Sequence, residues 1–422
     1  MKKIISNFKN SLWGGAISLS IGSVISQGIN VLIQPILTRL ITPEQLGEYS
    51  YILSIANLFM PIASLNLHLL IVTAKNEKEL KKYIDLSIYA IFLTILIYLV
   101  GMVITLKLRL LESSSMFHLL ILIPLVILTN GIYQVYLSED NWYQKYHNMT
   151  FAEITKIGLM SFIQVLAGVC NWGTTGLVMG KIGSPTYYVK RSSINFFQTI
   201  KNFKFSILLE GVKKNWQHII YSVPSQFLNT FSYSLIMISI VSLFSKKEVG
   251  YYSISTRVLG VPILLISYNL SKVYLKRISS HKNAKLSLFK IYLDTVKKLT
   301  IISTVIFLII SILGPLATEL IFGTGYKEAG IYISILCLMF SVRLVASSLS
   351  STFLVLEKQE AQFYLNLVFI FLGILSHIFT YIYNLDIYHY LLFISVSYSI
   401  SYGLNLLYIG VQCKKWDNRN LV

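Results

Sequence analysis

Long apolar stretches alternate with short polar segments along the whole chain. A helix needs about 20 mainly apolar residues to cross the hydrocarbon layer of a membrane. Twelve stretches come close enough to that length to predict membrane-spanning helices. The predicted spans are residues 12–37, 47–73, 84–106, 116–137, 151–170, 173–189, 219–243, 251–274, 299–322, 331–355, 363–383 and 389–411. The sixth is the weakest, because it is short and contains Lys181 and Pro185.

Composition agrees with this pattern. Of the 422 residues, 55% are hydrophobic and 13% are charged, and the mean hydropathy is +0.64. A soluble domain has about 25% charged residues, so a chain this poor in charge has too little polar surface for water. We therefore expect an all-α integral membrane protein. Three cysteines without CxxC spacing give no sign of a disulfide framework or a zinc site, and we expect no metal and no cofactor.

The basic residues predict the orientation of the chain. The formal net charge is +18, but the lysines and arginines form short clusters between apolar runs, which is typical of cytoplasmic loops and not of a nucleic-acid-binding face. With the N-terminus inside, the predicted inner segments hold 27 basic residues and the outer segments hold six. We counted Lys156 with the inner group. An even number of spans then places both termini in the cytoplasm.

Two short segments recur in the same order in the two halves of the chain. Residues 23–30 (SVISQGIN) share five of eight residues with 222–229 (SVPSQFLN), at an offset of 199. Residues 47–50 (GEYS) resemble 250–253 (GYYS), at an offset of 203. Two matches in order indicate an internal duplication. With six spans per half, the copies run in the same direction, which predicts two lobes related by a pseudo-two-fold axis along the membrane normal.

The longest predicted connection is cytoplasmic and amphipathic. Residues 190–218 mix lysines with Phe203, Phe205 and Leu208, as expected for a helix at the membrane surface. We therefore predict an N-terminal six-helix lobe over 1–189, a cytoplasmic linker over 190–218 and a C-terminal six-helix lobe over 219–422.

Polar side chains form a matching stripe on the first span of each half. Their spacing of three and four residues places them on one face of a helix. The stripes are Ser23, Gln27, Asn30 and Gln34 in span one, and Ser222, Gln226, Asn229 and Tyr233 in span seven. One interpretation is hydrogen bonding between helices, and the other is a cavity wall that binds sugar hydroxyls. Under the second, the glycan-binding residues are Gln27, Asn30, Gln34, Gln226 and Asn229.

Apart from Lys156 and Lys272, which we counted with the inner segments, three cations fall inside predicted spans, and no acid lies at the centre of any span. Buried cations without matching anions are unfavourable unless water or an anionic ligand accompanies them. We therefore predict that Arg257, Arg343 and Lys181 bind phosphate or pyrophosphate. Each has an alternative. Arg257 can extend to the outer interface, and Lys181 can lie outside a misplaced span. For Arg343 the alternative is also extension to the interface, which its central position makes harder.

Two histidines lie in spans two and eleven, His68 and His377. Either could couple transport to protons, because an imidazole titrates near neutral pH. The alternative is a hydrogen-bonded packing role.

Residues 37–74 closely resemble the first-loop signature of Wzx-type polysaccharide flippases, which belong to the multidrug/oligosaccharidyl-lipid/polysaccharide superfamily. The matching positions are Arg39, Leu40, Pro43, Glu44 and Gly47. Residues 246–262 and 322–338 are similar to the family segments after span seven and before span ten. The resemblance covers nearly the whole chain.

The resemblance implies transport of an undecaprenyl-pyrophosphate-linked oligosaccharide from the cytoplasmic to the outer leaflet. It implies alternating access between two six-helix lobes, in the bacterial cytoplasmic membrane, for O-antigen, capsule or exopolysaccharide assembly. The partners implied are that lipid-linked oligosaccharide, membrane lipid, and a polysaccharide polymerase with its chain-length machinery.

Two other functions stay open. A multidrug or small-molecule antiporter of the same superfamily would favour an acid in the N-terminal lobe to pair with cations, and none lies at a span centre. A membrane polysaccharide polymerase would need a large outer loop with catalytic groups, and the predicted outer loops are short. The nucleotide-binding motif GxxxxGK[ST] is also absent from the sequence, so we expect that the protein is not an enzyme.

Overall fold

The computed structural model describes residues 12–107, 117–189, 196–201 and 205–420. Within these ranges the chain is helical, and twelve principal helices correspond in order to the twelve predicted spans. They are α1 Leu12–Leu40, α2 Pro43–Ala63, α3 Glu77–Lys107, α4 Ile123–Trp142, α5 Tyr146–Val169, α6 Gly173–Gly183, α7 Trp216–Leu243, α8 Lys246–Pro262, α9 Leu288–Phe322, α10 Lys327–Leu349, α11 Gln359–Ile382 and α12 Ile387–Asn420.

Ten stretches of the described residues are long and apolar enough to cross a membrane. The two principal helices outside this set are α2, which a turn interrupts at residues 64–67, and α6, which has 11 residues. The prediction of an all-α, multi-pass membrane protein with about twelve helices in two lobes is confirmed for the described chain.

The chain divides into two compact units. The first contains Met1–Ile41 and Glu48–Thr230, and the second contains Thr42–Gly47 and Phe231–Val422.

In the first unit, α1 runs parallel to α5 at very short range. A Cβ added at Gly22 would lie 2.5 Å from Thr150 Cγ2, and one added at Gly168 would lie 2.9 Å from Leu40 Cβ. The early residues 22 of α1 and 150 of α5 are paired, and so are the late residues 40 and 168, so the two helices run in the same direction. Glycine also permits the antiparallel contact of α5 with α6, where a Cβ at Gly180 would lie 2.7 Å from Gln164 Cγ. Small residues let helix backbones approach closely where lipid gives no hydrophobic driving force.

In the second unit, α10 is the central helix. Ser255 of α8 donates a hydrogen bond to the Ala329 carbonyl oxygen, and Ser395 of α12 donates one to the Ile335 carbonyl oxygen, both at 2.8 Å. On the side of α9, a Cβ added at Gly330 would lie 2.6 Å from Pro315 Cα. Helices α8, α9 and α12 therefore pack around α10.

Helices α2 and α8 both begin with a hydroxyl side chain that accepts a hydrogen bond from the backbone N–H three residues later. The Gln45 N–H donates to Thr42 Oγ1 at 3.3 Å, and the Thr42 N–H donates to Gln45 Oε1 at 3.2 Å. The Glu248 N–H donates to Ser245 Oγ at 3.3 Å. Thr42 and Ser245 are related by the offset of 203 found in the sequence, so the duplicated segments start equivalent helices.

The described helices differ from the predicted spans at several boundaries. The second predicted span ends early, because Leu65 and Asn66 have φ of 48° and 52° and turn the chain after α2. The eighth contains a π-helical turn, Ile263–Ser267, and the helix after it, Tyr268–Asn283, continues past the predicted end of the span. Within the predicted linker, the described helices are Phe196–Lys201 and Phe205–Lys214.

Candidate functional site

Arg343 lies on α10 and faces aromatic rings. Its guanidinium carbon is 4.6 Å from the ring centroid of Tyr233 and 5.3 Å from that of Phe340. Tyr252 and Tyr402 are the other groups that act electrostatically on it. Within the described ranges, no carboxylate forms an ion pair with Arg343. The second unit therefore holds an intramembrane cation that is attracted by π-faces and not neutralised by an acid.

Hydrogen bonds and ring contacts hold this aromatic surface in place. The hydroxyl oxygens of Tyr233 and Tyr402 are 2.7 Å apart, and Tyr398 donates to the Ser232 carbonyl oxygen at 2.6 Å. The Phe369 ring packs edge-on against Tyr402, with 4.7 Å between centroids. Buried tyrosines with bonded hydroxyls form a rigid wall, so the ring surface that faces Arg343 is held in place.

The three predicted phosphate ligands have different neighbours. Arg257 is on α8 and acts electrostatically on Tyr326, while Arg343 faces the tyrosines described above. Lys181 belongs to the first unit and acts on Lys156. The described contacts thus do not group the three cations, and their role as phosphate ligands stays a prediction.

Lys156 is a candidate residue that the sequence reasoning missed. Counting it with the inner segments was wrong, because it is the eleventh of the 24 residues of α5. Its Nζ atom lies 4.0 Å from the ring centroid of Tyr133 on α4. The signal in the sequence was a lysine inside an apolar stretch; the helix begins five residues before the predicted span, which moves Lys156 to its middle.

The polar stripe of α1 is only partly available to a ligand. Gln34 is buried and donates from Nε2 to the Asn30 carbonyl oxygen at 3.0 Å, while Gln27 and Asn30 are half-buried. On α7, Gln226 and Asn229 are exposed. The Gln34 bond is made within α1, so it does not show hydrogen bonding between helices, and both interpretations of the polar stripes stay predictions.

The two predicted coupling histidines have unlike surroundings. His68 lies just after the turn that ends α2, with its Nδ1 atom 2.7 Å from Ser64 Oγ and His218 nearby. His377 lies on α11, and its buried Nδ1 atom has no hydrogen-bond partner in the described part of the chain. Proton coupling by either stays a prediction. The described residues contain no group of three or more His, Cys, Asp or Glu that could hold a metal ion.

The fold and the intramembrane cations define a multi-pass membrane protein. Sequence places it more closely: the chain belongs to the polysaccharide biosynthesis protein family, whose model matches residues 36–331. This confirms the family resemblance recognised in residues 37–74. No curated protein matches the chain by sequence.

Solved structures share the fold at low sequence identity. An inward-facing multidrug resistance MATE family transporter of the MOP superfamily has a TM-score of 0.71 at 13% identity, covering 96% of this chain and 99% of that one. The lipid II flippase MurJ, in an inward closed conformation, has a TM-score of 0.64 at 14% identity, covering 96% and 90%. A MOP superfamily transporter from Pyrococcus furiosus, described as having a binding pocket of reverse polarity, has a TM-score of 0.61 at 14% identity, covering 95% and 96%.

Proposed function

We propose that this protein is a flippase that moves an undecaprenyl-pyrophosphate-linked oligosaccharide from the cytoplasmic to the outer leaflet by alternating access. The observation that carries the proposal is Arg343, an intramembrane cation that faces aromatic rings and has no carboxylate in ion-pair contact within the described chain. A planar guanidinium binds phosphate oxygens with two parallel hydrogen bonds and stays charged at any physiological pH. Membership of a polysaccharide biosynthesis family supports a sugar-bearing cargo.

The lipid tail, the phosphates and the sugars of the proposed cargo each need a different environment. Its polyprenyl tail stays in the bilayer, because moving it into water would cost about 0.8 kcal/mol per CH₂. Its phosphates need cations, for which we propose Arg343 and Arg257. Its sugars need hydrogen-bonding amides, for which we propose Gln27, Asn30, Gln226 and Asn229. The bacterial cytoplasmic membrane, both termini in the cytoplasm, and lobes over 1–189 and 219–422 joined by 190–218 belong to the same proposal.

A flipping assay tests this function. Purified protein is placed in liposomes that contain a labelled undecaprenyl-pyrophosphate oligosaccharide in one leaflet, and leaflet exchange is followed with a membrane-impermeant sugar-modifying reagent. We expect Arg343→Ala to slow exchange about tenfold or more, the effect of losing one charged hydrogen bond, and Arg343→Lys to slow it less. Arg277→Ala, which removes an exposed arginine outside the candidate spans, should match wild type.

Two results would contradict the proposal. Normal exchange in both Arg343 variants would remove the arginine from cargo binding. No exchange with several glycans and ion gradients, together with uptake of small cationic drugs, would assign the chain to the antiporter function instead.

A further inference from the structure

The first unit contains a second group of intramembrane cations on neighbouring helices. A Cβ added at Gly180 would lie 3.3 Å from the Met160 carbonyl oxygen, so α6 touches α5 at this level. Lys181 follows Gly180 directly, and Lys156 lies one helical turn before Met160. Lys181 acts electrostatically on Lys156. Two like charges are therefore held near each other about 15 Å along α5 from its first residue.

An aromatic ring fixes the position of Lys156. The Tyr133 ring under its ammonium group is buried, and it packs edge-on against Tyr188 at 5.7 Å between centroids. The Tyr188 hydroxyl in turn donates to the Asp140 carboxylate. Because Tyr188 packs against the Tyr133 ring and fixes its position, the ammonium group of Lys156 is held at one face of that ring.

The ammonium group of Lys156 keeps its hydrogen-bonding capacity. An ammonium has three N–H donors, and within the described residues Nζ of Lys156 has neither a hydrogen-bond acceptor nor a carboxylate within ion-pair distance. Glu153 is the one acid that acts on Lys156, from beyond that distance, while Lys181 adds a second positive charge. Unused donors next to a repelling cation favour an oxyanion as the missing partner.

We propose that Lys156 and Lys181 form a phosphate-binding site of the first unit, in addition to Arg343 of the second. This site would bind a phosphate of the lipid-linked cargo, and that part of the proposal rests on the proposed function. The same oxyanion chemistry occurs in the headgroup of an anionic phospholipid, so the test separates these two sources.

The binding test uses the full chain in nanodiscs of phosphatidylcholine, titrated with inorganic pyrophosphate and followed by phosphorus NMR. Lys156→Met and Lys181→Met, which keep the apolar stem, should each weaken binding about tenfold or more, and Lys156→Arg should retain most of it. The matched control is Lys145→Met. Lys145 also lies over a ring, with its Nζ atom 4.6 Å from the Tyr143 centroid, but it is exposed at the start of α5.

Thermal unfolding first confirms that each variant is folded. Unchanged affinity in both methionine variants, or binding that only Arg343→Met removes, would overturn the site. A second titration, in nanodiscs containing phosphatidylglycerol, shows whether the bound phosphate belongs to the cargo or to a phospholipid headgroup. If that lipid lowers the wild-type affinity to that of Lys156→Met, the site binds a phospholipid headgroup and the cargo assignment is overturned. Lysine-dependent binding in a protein that flips no lipid-linked sugar would support the site while contradicting the proposed function.

Discussion

At the scale of residues, two intramembrane cations share one feature, which is that the charged group lies over an aromatic ring. A charged side chain at the centre of a membrane helix costs about 2.5–3.5 kcal/mol on insertion scales, and a desolvated cation–π contact returns about 2 kcal/mol. Arg343 over Tyr233 and Lys156 over Tyr133 both have this arrangement. The rings thus offset part of the cost of placing each cation in the membrane, and under the proposals above its hydrogen-bond donors bind an anion.

Asp386 gives a pH-dependent prediction outside the membrane-spanning segments. It precedes α12 and accepts hydrogen bonds from the His389 N–H at 2.9 Å and from the His389 ring at 2.6 Å. The backbone bond is the largest cause that lowers the pKa of this carboxyl. A lowered pKa means that the stabilisation is present above the usual carboxyl range and is lost as pH falls through the folded-state pKa.

Asp386→Ala should therefore lower the free energy of unfolding by about 1 kcal/mol at pH 7, the usual effect of losing a helix N-cap. The difference from wild type should shrink as the pH falls below the carboxyl range. Thermal unfolding in detergent at several pH values measures this. Asp386→Asn keeps an oxygen acceptor without titrating, so its stability difference from Asp386→Ala should stay constant with pH. An Asp386→Ala deficit that does not change with pH would contradict the assignment.

Some residues of the candidate site stand out in the sequence, and others do not. Arg343 was identifiable because it interrupts a long apolar stretch far from either end. Lys156 was missed because its importance depends on where α5 begins, and Tyr146 starts the helix without a side-chain cap. The Tyr133 ring beneath it comes from another helix, and no local pattern gives that pairing.

At the scale of elements, glycine allows the beginnings of α2 and α8 to touch. In the second unit, a Cβ added at Gly47 would collide with the Lys246 carbonyl oxygen, and one added at Gly250 would collide with the Pro43 carbonyl oxygen. Gly47 and Gly250 are equivalent positions separated by 203 residues, the offset of the duplication, and so are Pro43 and Lys246. The crossing is thus symmetrical, and each glycine accommodates the backbone of the other segment.

We expect Gly47→Ala and Gly250→Ala each to destabilise the protein by about 1–3 kcal/mol, because the added methyl group must displace backbone. Gly260 is the matched control, since it lies on α8 with no atom within 4 Å of an added Cβ. Gly260→Ala should be neutral or stabilising by up to about 1 kcal/mol, because alanine favours helix. Thermal unfolding of the three variants compares them. Equal melting temperatures for Gly250→Ala and Gly260→Ala would contradict the close crossing.

Element boundaries divide into those that have a local signal and those that do not. The start of α2 has the sequence Thr42-Pro43-Glu44-Gln45, a capping sequence that the structure uses. The end of α2 lies within an apolar stretch that contains no capping sequence. There the buried Asn66 donates to Ser222 Oγ at 3.0 Å, and the turn is stabilised by a residue 156 positions away. Hydropathy gives the number of helices, while contacts of this kind determine where one is broken.

At the scale of the whole molecule, charge asymmetry is the argument for orientation. Twice as many basic as acidic residues occur in the chain, 36 against 18, and most basic residues fall in the segments predicted to be cytoplasmic. Moving Lys156 into the middle of α5 removes one residue from that group and leaves the asymmetry intact. With an inside N-terminus, the α5–α6 connection faces outward and the α4–α5 connection faces the cytoplasm. These two connections are therefore the place to test the orientation.

The cysteines allow that test with little engineering. Cys170, between α5 and α6, is exposed, whereas Cys337 and Cys413 are buried. A membrane-impermeant maleimide applied to intact spheroplasts should therefore label the wild-type protein at Cys170, and Cys170→Ser should lose the label. Lys145 is exposed at the other end of α5, so Lys145→Cys in the Cys170→Ser background should react only after permeabilisation. If Cys170 reacted only after permeabilisation and Lys145→Cys reacted without it, the orientation would be reversed. The proposed cytoplasmic loading of cargo would then fail with it, because the basic segments would face the opposite leaflet.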